Sequence, residues 1–370
     1  MVINMKNENF EAAKALRHEL HAHPELSLNE NWTRERLKAF LKNTALEVTD
    51  KGAWLYAYIK GTGKKAPIAF RADIDAVPVW DKSGAQYASL IDGVSHACGH
   101  DGHAATLCAL ALELSENPPE RDVYLIFQHA EEIGAGAKEC AKLIDEKGIV
   151  EVYAYHHRPG FPYNTAVIAQ GACACASKGM TIYMKGTPCH ASMPELGKNP
   201  AQAIARLICR LGQIDEKYEE MVLCTVICVE IGERAFGTSA SEGRLMLTIR
   251  GQREDELNAL QAEIERFAAM EAESDGLELS FSYCDEFPET RNHAASAQKV
   301  RQACERLGIS VQTLQAPWRS SEDFGYFLKK AEGAMILIGD GEDYPELHTS
   351  RMDFPDELIK TATDLFMELI

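Results

Sequence analysis

Apolar positions along the chain recur at two spacings, and the changes between them mark out the elements. From Phe10 the stretch FEAAKALRHEL puts Phe10, Ala13, Leu16 and Leu20 on one side of a helix that Pro24 ends. A second helical stretch lies near Trp32 to Leu41, followed by a strand at Trp54 to Ile59 and an apolar run at Ala66 to Phe70 that leads into RADIDAVPV. Short apolar strands at Val123 to Gln128 and Val152 to Tyr155 alternate with further helical segments. Near-continuous apolar strands between helices predict an α/β sheet covered on both faces. Such sheets bind ligands beyond the carboxyl ends of their strands, and the polar clusters fall there. Asp73 and Asp75 follow one strand, Glu131 and Glu132 a second, His156 and His157 a third.

The middle of the chain has a different rhythm. Met180 to Lys185 reads as a strand, and Asn199 and Pro200 then start a helix whose apolar face is Ile204, Leu207, Ile208, Leu211 and Ile214. Strands near Val222 to Glu230 and Arg244 to Arg250 come next, then a helix with Leu257, Leu260, Ile264 and Phe267 at spacings of three and four. Alternating Leu277, Leu279, Phe281 and Tyr283 make a last strand. The order βαββαβ is that of a ferredoxin-like unit, which buries one sheet face under two helices. Residues 177–286 are therefore expected to form an inserted α+β domain, with 1–176 and 287–370 joining as the main α/β domain around a central sheet.

A chain of 370 residues exceeds what one hydrophobic core usually fills, which agrees with two domains. Its formal net charge of −18 repels phosphate backbones and anionic lipid surfaces, so neither nucleic acid nor membrane is an expected partner. The opening MVINMKNENFEAAKALRHEL lacks the uninterrupted apolar core of a signal peptide, and no apolar window is long enough to span a bilayer. A cytoplasmic location is the expectation. The eleven cysteines are scattered singly through apolar segments, which suits reduced, buried thiols better than a disulfide framework. Cys173 and Cys175 read as two strand residues on one face rather than as a metal pair.

Candidate chemistry concentrates in SHACGHDGHAA, where His96, Cys98, His100, Asp101 and His103 lie within eight positions. A thiolate and an imidazole two residues apart on a turn can face one ion, and sulfur with nitrogen favours zinc or another late transition metal. In IFQHAEEIGAGA, two consecutive glutamates after an apolar strand put one carboxylate toward a metal and leave the other to handle a proton. His156 after the strand VYAY and His348 in ELHTSRMDF are the remaining ligand candidates. His18, His21 and His293 have no metal partners near them in sequence and read as structural.

The motifs RADIDAVPV, SHACGHDGHAA, FQHAEEIGAGA and HASMPELGKNPA, with the opening LRHELHAHPELSLNE, resemble the successive motifs of the amidohydrolase and aminoacylase-type family of dinuclear metallopeptidases. That family includes hippurate hydrolases, N-acetyl-diaminopimelate deacetylases, aminobenzoyl-glutamate hydrolases and indoleacetyl-amino acid hydrolases. The resemblance runs from about Leu16 to Phe354 and implies a metallopeptidase-type catalytic domain with an inserted lid. It implies two divalent ions, whether zinc, manganese, nickel or cobalt. Cys98, His100, Glu132, His156 and His348 resemble the family's ligands, His156 being preferred over His157 because it stands three before the proline of HHRPGFP. Asp73, Asp75 and Asp101 resemble residues that support the ligands. Glu131 resembles the general base, and His190 in CHASMP the lid histidine that holds the oxyanion, in some members across a dimer.

Three departures stand out. His129 occupies a position where relatives often have proline, and Asn164 one where they often have glycine. Relatives also carry an Asn-Val-Ile-Pro-Asp run whose asparagine approaches the substrate, whereas this chain has GTSAS, Gly237 to Ser241. The implied activity is metal-dependent hydrolysis of the amide bond in an N-acyl amino acid or related small amide. The alternatives are a di- or tripeptidase or carboxypeptidase on the same scaffold, and a metal-holding binding protein with a disabled site. Intact adjacent glutamates argue against the last, since storage needs no base beside a ligand. The exposed edge of a four-stranded lid sheet makes a homodimer through the lid a further expectation.

Overall fold

The computed structural model describes residues 5–212, 214 and 218–370 and divides the chain into two units. The first four residues of the stretch read for a leader lie outside the described residues. The larger unit comprises Met1–Cys173, Thr290–Pro317 and Asp323–Ile370, the smaller Ala174–Glu289 and Trp318–Glu322.

In the larger unit an eight-stranded mixed sheet runs in the order Glu47–Asp50, Leu55–Ile59, Arg121–Gln128, Lys65–Asp73, Glu151–Arg158, Glu332–Gly339, Ala166–Ile168, Val311–Thr313. Side chains alternate between its faces, as the twofold period of a strand requires. Leu55 and Ala57, Ile68 and Phe70, Leu125 and Phe127, and Ile336 and Ile338 enter one core, shared with the helices Asn7–Ala22, His100–Glu116, Ala294–Leu307 and Leu358–Leu369. Tyr56, Ala69, Ile126, Ala154 and Leu337 enter the other, beneath the short helices Ala137–Cys140, Lys142–Lys147 and Gly325–Leu328. Both faces are thus covered, and the strands read as nearly continuous apolar runs for that reason. Cys173 lies in the second core. Lys65–Asp73 is parallel to both of its neighbours, so three adjacent strands deliver their carboxyl ends to one edge of the sheet.

The smaller unit has four antiparallel strands in the order Glu278–Phe287, Ala176–Lys185, Glu242–Gly251, Val222–Ile231. Met180, Ile182 and Met184 with Leu245, Leu247 and Ile249 pack under Ile204, Leu207 and Leu211 of one helix and Leu257, Leu260 and Ile264 of the other. This is the ferredoxin-like arrangement that the spacing predicts. Asn199 starts the first helix by accepting a 2.9 Å hydrogen bond from the Ala201 N–H at Oδ1. No helix among the described residues is long and apolar enough to cross a membrane.

Candidate metal centre

Each candidate donor in the larger unit is placed by a strand end or a tight turn. Cys98 and His100 flank Gly99, which has φ +78°; a Cβ there would come 2.2 Å from Nε2 of His157, so only glycine fits. His100 then opens the helix His100–Glu116. The strand before the two glutamates ends at Gln128, and Ala130, at φ +48°, turns the backbone before Glu131. His348, also at positive φ (+59°), hangs from the Ala97 carbonyl, to which its N–H donates at 2.8 Å.

These turns gather five side chains from four distant segments. Cys98 Sγ lies 3.5 Å from Nε2 of His156. Nε2 of His348 is 3.3 Å from Oε1 of Glu132, and Nε2 of His100 is 3.7 Å from the same oxygen. The ligand atoms of Cys98, His100 and His156 all lie within 4.8 Å of one another, and so do those of Cys98, Glu132 and His348. Two overlapping triads sharing one sulfur are what a pair of neighbouring ions would need. Glu131 is buried, with Oε2 4.0 Å from Nε2 of His100.

The hydrogen bonds behind these donors fix their tautomers. Nδ1 of His100 is taken by Asp75, 2.9 Å from its carbonyl and 3.2 Å from Oδ1, while the buried Nε2 has no hydrogen-bond partner among the described residues. Nδ1 of His156 donates to the His157 carbonyl at 2.6 Å, so Nε2 faces Cys98 with its lone pair. Asp73 accepts from Nδ1 of His103 at 2.6 Å and from Arg71 at 2.7 Å, and its Oδ2 lies 3.8 Å from Nε2 of His100.

Burial and neighbouring charge move the donors in two senses: burial, with His103 and His157 close by, pushes His156 well below its ordinary range. Burial opposes charge on His100, yet Asp73, Asp75 and Glu132 raise its pKa to about 10. Burial and the carboxylates of Glu132 and Glu131 push the Cys98 thiol well above its ordinary range. His100 and Cys98 hold their protons tightly beside these carboxylates, and a divalent cation would take the place of those protons and stabilise the thiolate. One thiol, three imidazoles and a carboxylate, with Nε2 of His100 left without a hydrogen-bond partner among the described residues, fit two late transition-metal ions.

This donor set stands on a fold of known type, and residues 69–370 match the family model described as Peptidase family M20/M25/M40. The chain belongs to peptidase family M20. It is a metal-dependent amidohydrolase of that family. It is 29% identical over 365 residues to the N-acetylcysteine deacetylase of Bacillus subtilis (strain 168), covering 96% of this chain and 94% of that one. Among solved structures it is similar to a dinuclear metal-binding M20 peptidase of the same species, with a TM-score of 0.84, 25% identity and 98% of each chain covered. An aminobenzoyl-glutamate utilization protein from Klebsiella pneumoniae shares the fold, with a TM-score of 0.76 and 18% identity over 98% of this chain and 95% of that one.

Of the other expected site residues, one points away from the cluster and one belongs to the smaller unit. Asp101, one residue past His100 on the helix, turns away from the cluster. Its Oδ2 accepts from Nε of the buried Arg17 at 2.9 Å and contacts Nδ1 of His21 at 2.7 Å. Asp101 therefore braces the helix start against the first helix, and His21, read as structural, is its partner. His190 belongs to the smaller unit, where it is exposed and its Nδ1 lies 2.7 Å from Oγ of Ser192. The GTSAS stretch runs beside it: Ala191 N–H donates to the Gly237 carbonyl at 3.0 Å, and Ser239 N–H to the Cys189 carbonyl at 2.9 Å. An open cleft of about 1060 Å³ adjoins this stretch, lined by Thr238, Ser239, Ser241 and Arg244 among others. Of the other departures, Asn164 has φ +59°, and asparagine is the side chain that most readily stands in for glycine there.

Sequence reasoning left out several residues that hold the site. Nδ1 of His157 lies 2.7 Å from Asp340, and its Nε2 2.9 Å from the Cys98 carbonyl. Arg71, fully buried, binds Asp73, Asp323 and Gln128. Ser27 donates to Asp75 at 2.7 Å, and Glu30 accepts from the Ala130 N–H at 2.8 Å. Burial, with Asp75 close by, pushes the Glu30 carboxyl up to about 7. The arginine that directly follows the apolar run Ala66 to Phe70 was the signal available, since arginine within a buried strand is rarely left unpaired.

Proposed function

We propose that this chain hydrolyses the amide bond of N-acyl amino acids or closely related small amides, with Cys98, His100, Glu132, His156 and His348 as ligands of two divalent ions. The overlapping triads around Cys98, with Glu131 beside them, carry this reading. Held by these five side chains, divalent ions would lower the pKa of bound water from about 15.7 to about 7 and would polarise the amide carbonyl. Glu131 takes the proton of the attacking water and returns it to the nitrogen of the departing amino acid, as the acyl carbon–nitrogen bond breaks and a carbon–oxygen bond forms. Asp75 and the His157 carbonyl hold His100 and His156 in the tautomers that present Nε2. His190 donates to the oxygen that becomes negative in the tetrahedral state. Zinc, nickel and cobalt suit the sulfur and imidazole donors better than manganese, the remaining candidate, and a cytoplasmic location would keep the thiol reduced.

The name of the Bacillus subtilis relative, an N-acetylcysteine deacetylase, supports a small N-acyl amino acid as substrate. Where relatives present an asparagine, a Cβ added to Gly237 would meet no other atom within 4 Å, so the donor is simply missing from open space. Homodimerisation through the smaller unit is supported by the edge strand Val222–Ile231, on which Val226, Ile227 and Val229 are 40%, 60% and 41% exposed.

The test is an assay of the metal-reconstituted protein and of His190→Ala against N-acetyl and N-benzoyl amino acids and dipeptides. N-acyl amino acids are expected to turn over fastest. His190→Ala should keep its metal and lose about 10²- to 10³-fold in rate, the usual effect of one oxyanion donor. Dipeptides as the best substrates would make this a peptidase, and an unchanged rate in the variant would leave His190 without a catalytic role.

A further inference from the structure

We infer that Glu30, in the LSLNE stretch, is a positioning residue that holds the backbone turn from which Glu131 is aimed. The inference rests on the reading of Glu131 as the base. Ala130, immediately before it, adopts φ +48°, a conformation uncommon outside glycine and held only where neighbours enforce it. On its carbonyl side the enforcement is local: Ala135 and Gly136 donate to the Ala130 oxygen at 3.1 and 3.2 Å. On its amide side it comes from Glu30, one hundred residues earlier, whose Oε1 accepts the Ala130 N–H at 2.8 Å. Glu30 is only 4% exposed, so water does not substitute for it.

The same segment reaches the other side of Glu131. Ser27 donates to Oδ2 of Asp75 at 2.7 Å, and that oxygen accepts the Glu132 N–H at 3.0 Å. The amides on either side of Glu131 are thus both held, one by Glu30 directly and one through Asp75. Segment 25–30 is itself docked, since the Ala76 N–H donates to the Glu25 carbonyl at 2.8 Å and Leu28 turns the chain at φ +69°. A side chain of similar size without an acceptor would leave a buried N–H unsatisfied and release the turn. Displacement of a catalytic group by about 1 Å costs on the order of 10²-fold in rate.

The experiment compares Glu30→Met, which keeps the volume and removes the acceptor, with Glu30→Gln, which keeps an acceptor oxygen. For each, kcat, KM, bound metal and hydrogen exchange at the Ala130 amide are measured. Glu30→Met is expected to lose about 10- to 100-fold in kcat with KM and metal content unchanged, and to lose protection at Ala130. Glu30→Gln should restore both kcat and protection. In a Glu131→Gln background, Glu30→Met should cost nothing further, because the group it aims is already gone. A wild-type kcat in Glu30→Met, an equal loss in Glu30→Gln, or a full additional loss in the double variant would overturn the inference. Should Glu131→Gln alone retain turnover, the base assignment fails, and exchange at Ala130 still reports separately whether Glu30 holds the turn.

Discussion

Glu131→Gln is expected to keep both metal ions and bind substrate, yet turn over at about 10²- to 10⁴-fold below wild type. The amide preserves size and hydrogen bonding but has no basic oxygen, and the five proposed ligands are untouched. The loss falls at the upper end of that range because one carboxylate serves two proton transfers, from water and then to the leaving nitrogen. Glu132→Gln should differ in kind. Its Oε1 lies 3.3 Å from Nε2 of His348 and 3.7 Å from Nε2 of His100, within the donor cluster, so the variant should lose metal along with activity. Metal analysis, substrate titration and a steady-state assay on the two proteins separate base from ligand. Equal metal loss in both would make the pair a joint ligand and remove Glu131 from the proton path.

Cys98→Ala is expected to be more damaging than loss of any one histidine. Its sulfur belongs to both triads, one with His100 and His156 and one with Glu132 and His348, so its removal weakens both ion positions together. Bound metal should fall to a small fraction of wild type, with activity falling in step. Cys173→Ala, in the apolar core of the sheet, should leave metal content as it is. Full occupancy in Cys98→Ala would remove the thiolate from the ligand set.

Much of this arrangement was legible in the chain because it depends on local pattern. Strands buried on both faces, such as Leu55–Ile59 and Glu332–Gly339, need apolar side chains in unbroken runs, and those runs are visible. The alternation of Leu277, Leu279 and Phe281 and the helical spacing of Leu257, Leu260 and Ile264 mark the ferredoxin-like unit in the same way. Cys98 and His100 are two apart, so a single turn with an obligatory glycine brings them together.

What pattern does not carry is the direction of one side chain relative to its neighbour, or a partner far away in sequence. Asp101 stands next to a proposed ligand, but one helical step of about 100° turns it to Arg17 and His21. Arg71 meets Asp323 across 252 positions and His157 meets Asp340 across 183, pairings that no spacing announces. The left-handed turn at Ala130 was equally hidden, since alanine gives no sign of positive φ and Glu30, which holds it, lies on another segment.

The central claim, a two-ion amide hydrolase built on Cys98, is tested most directly by titrating metal-free protein with a divalent ion while following hydrolysis of an N-acyl amino acid. The account predicts no turnover without metal, tight uptake of two ions per chain, and full activity once the second is bound. Turnover at the full rate by protein stripped of metal would contradict it.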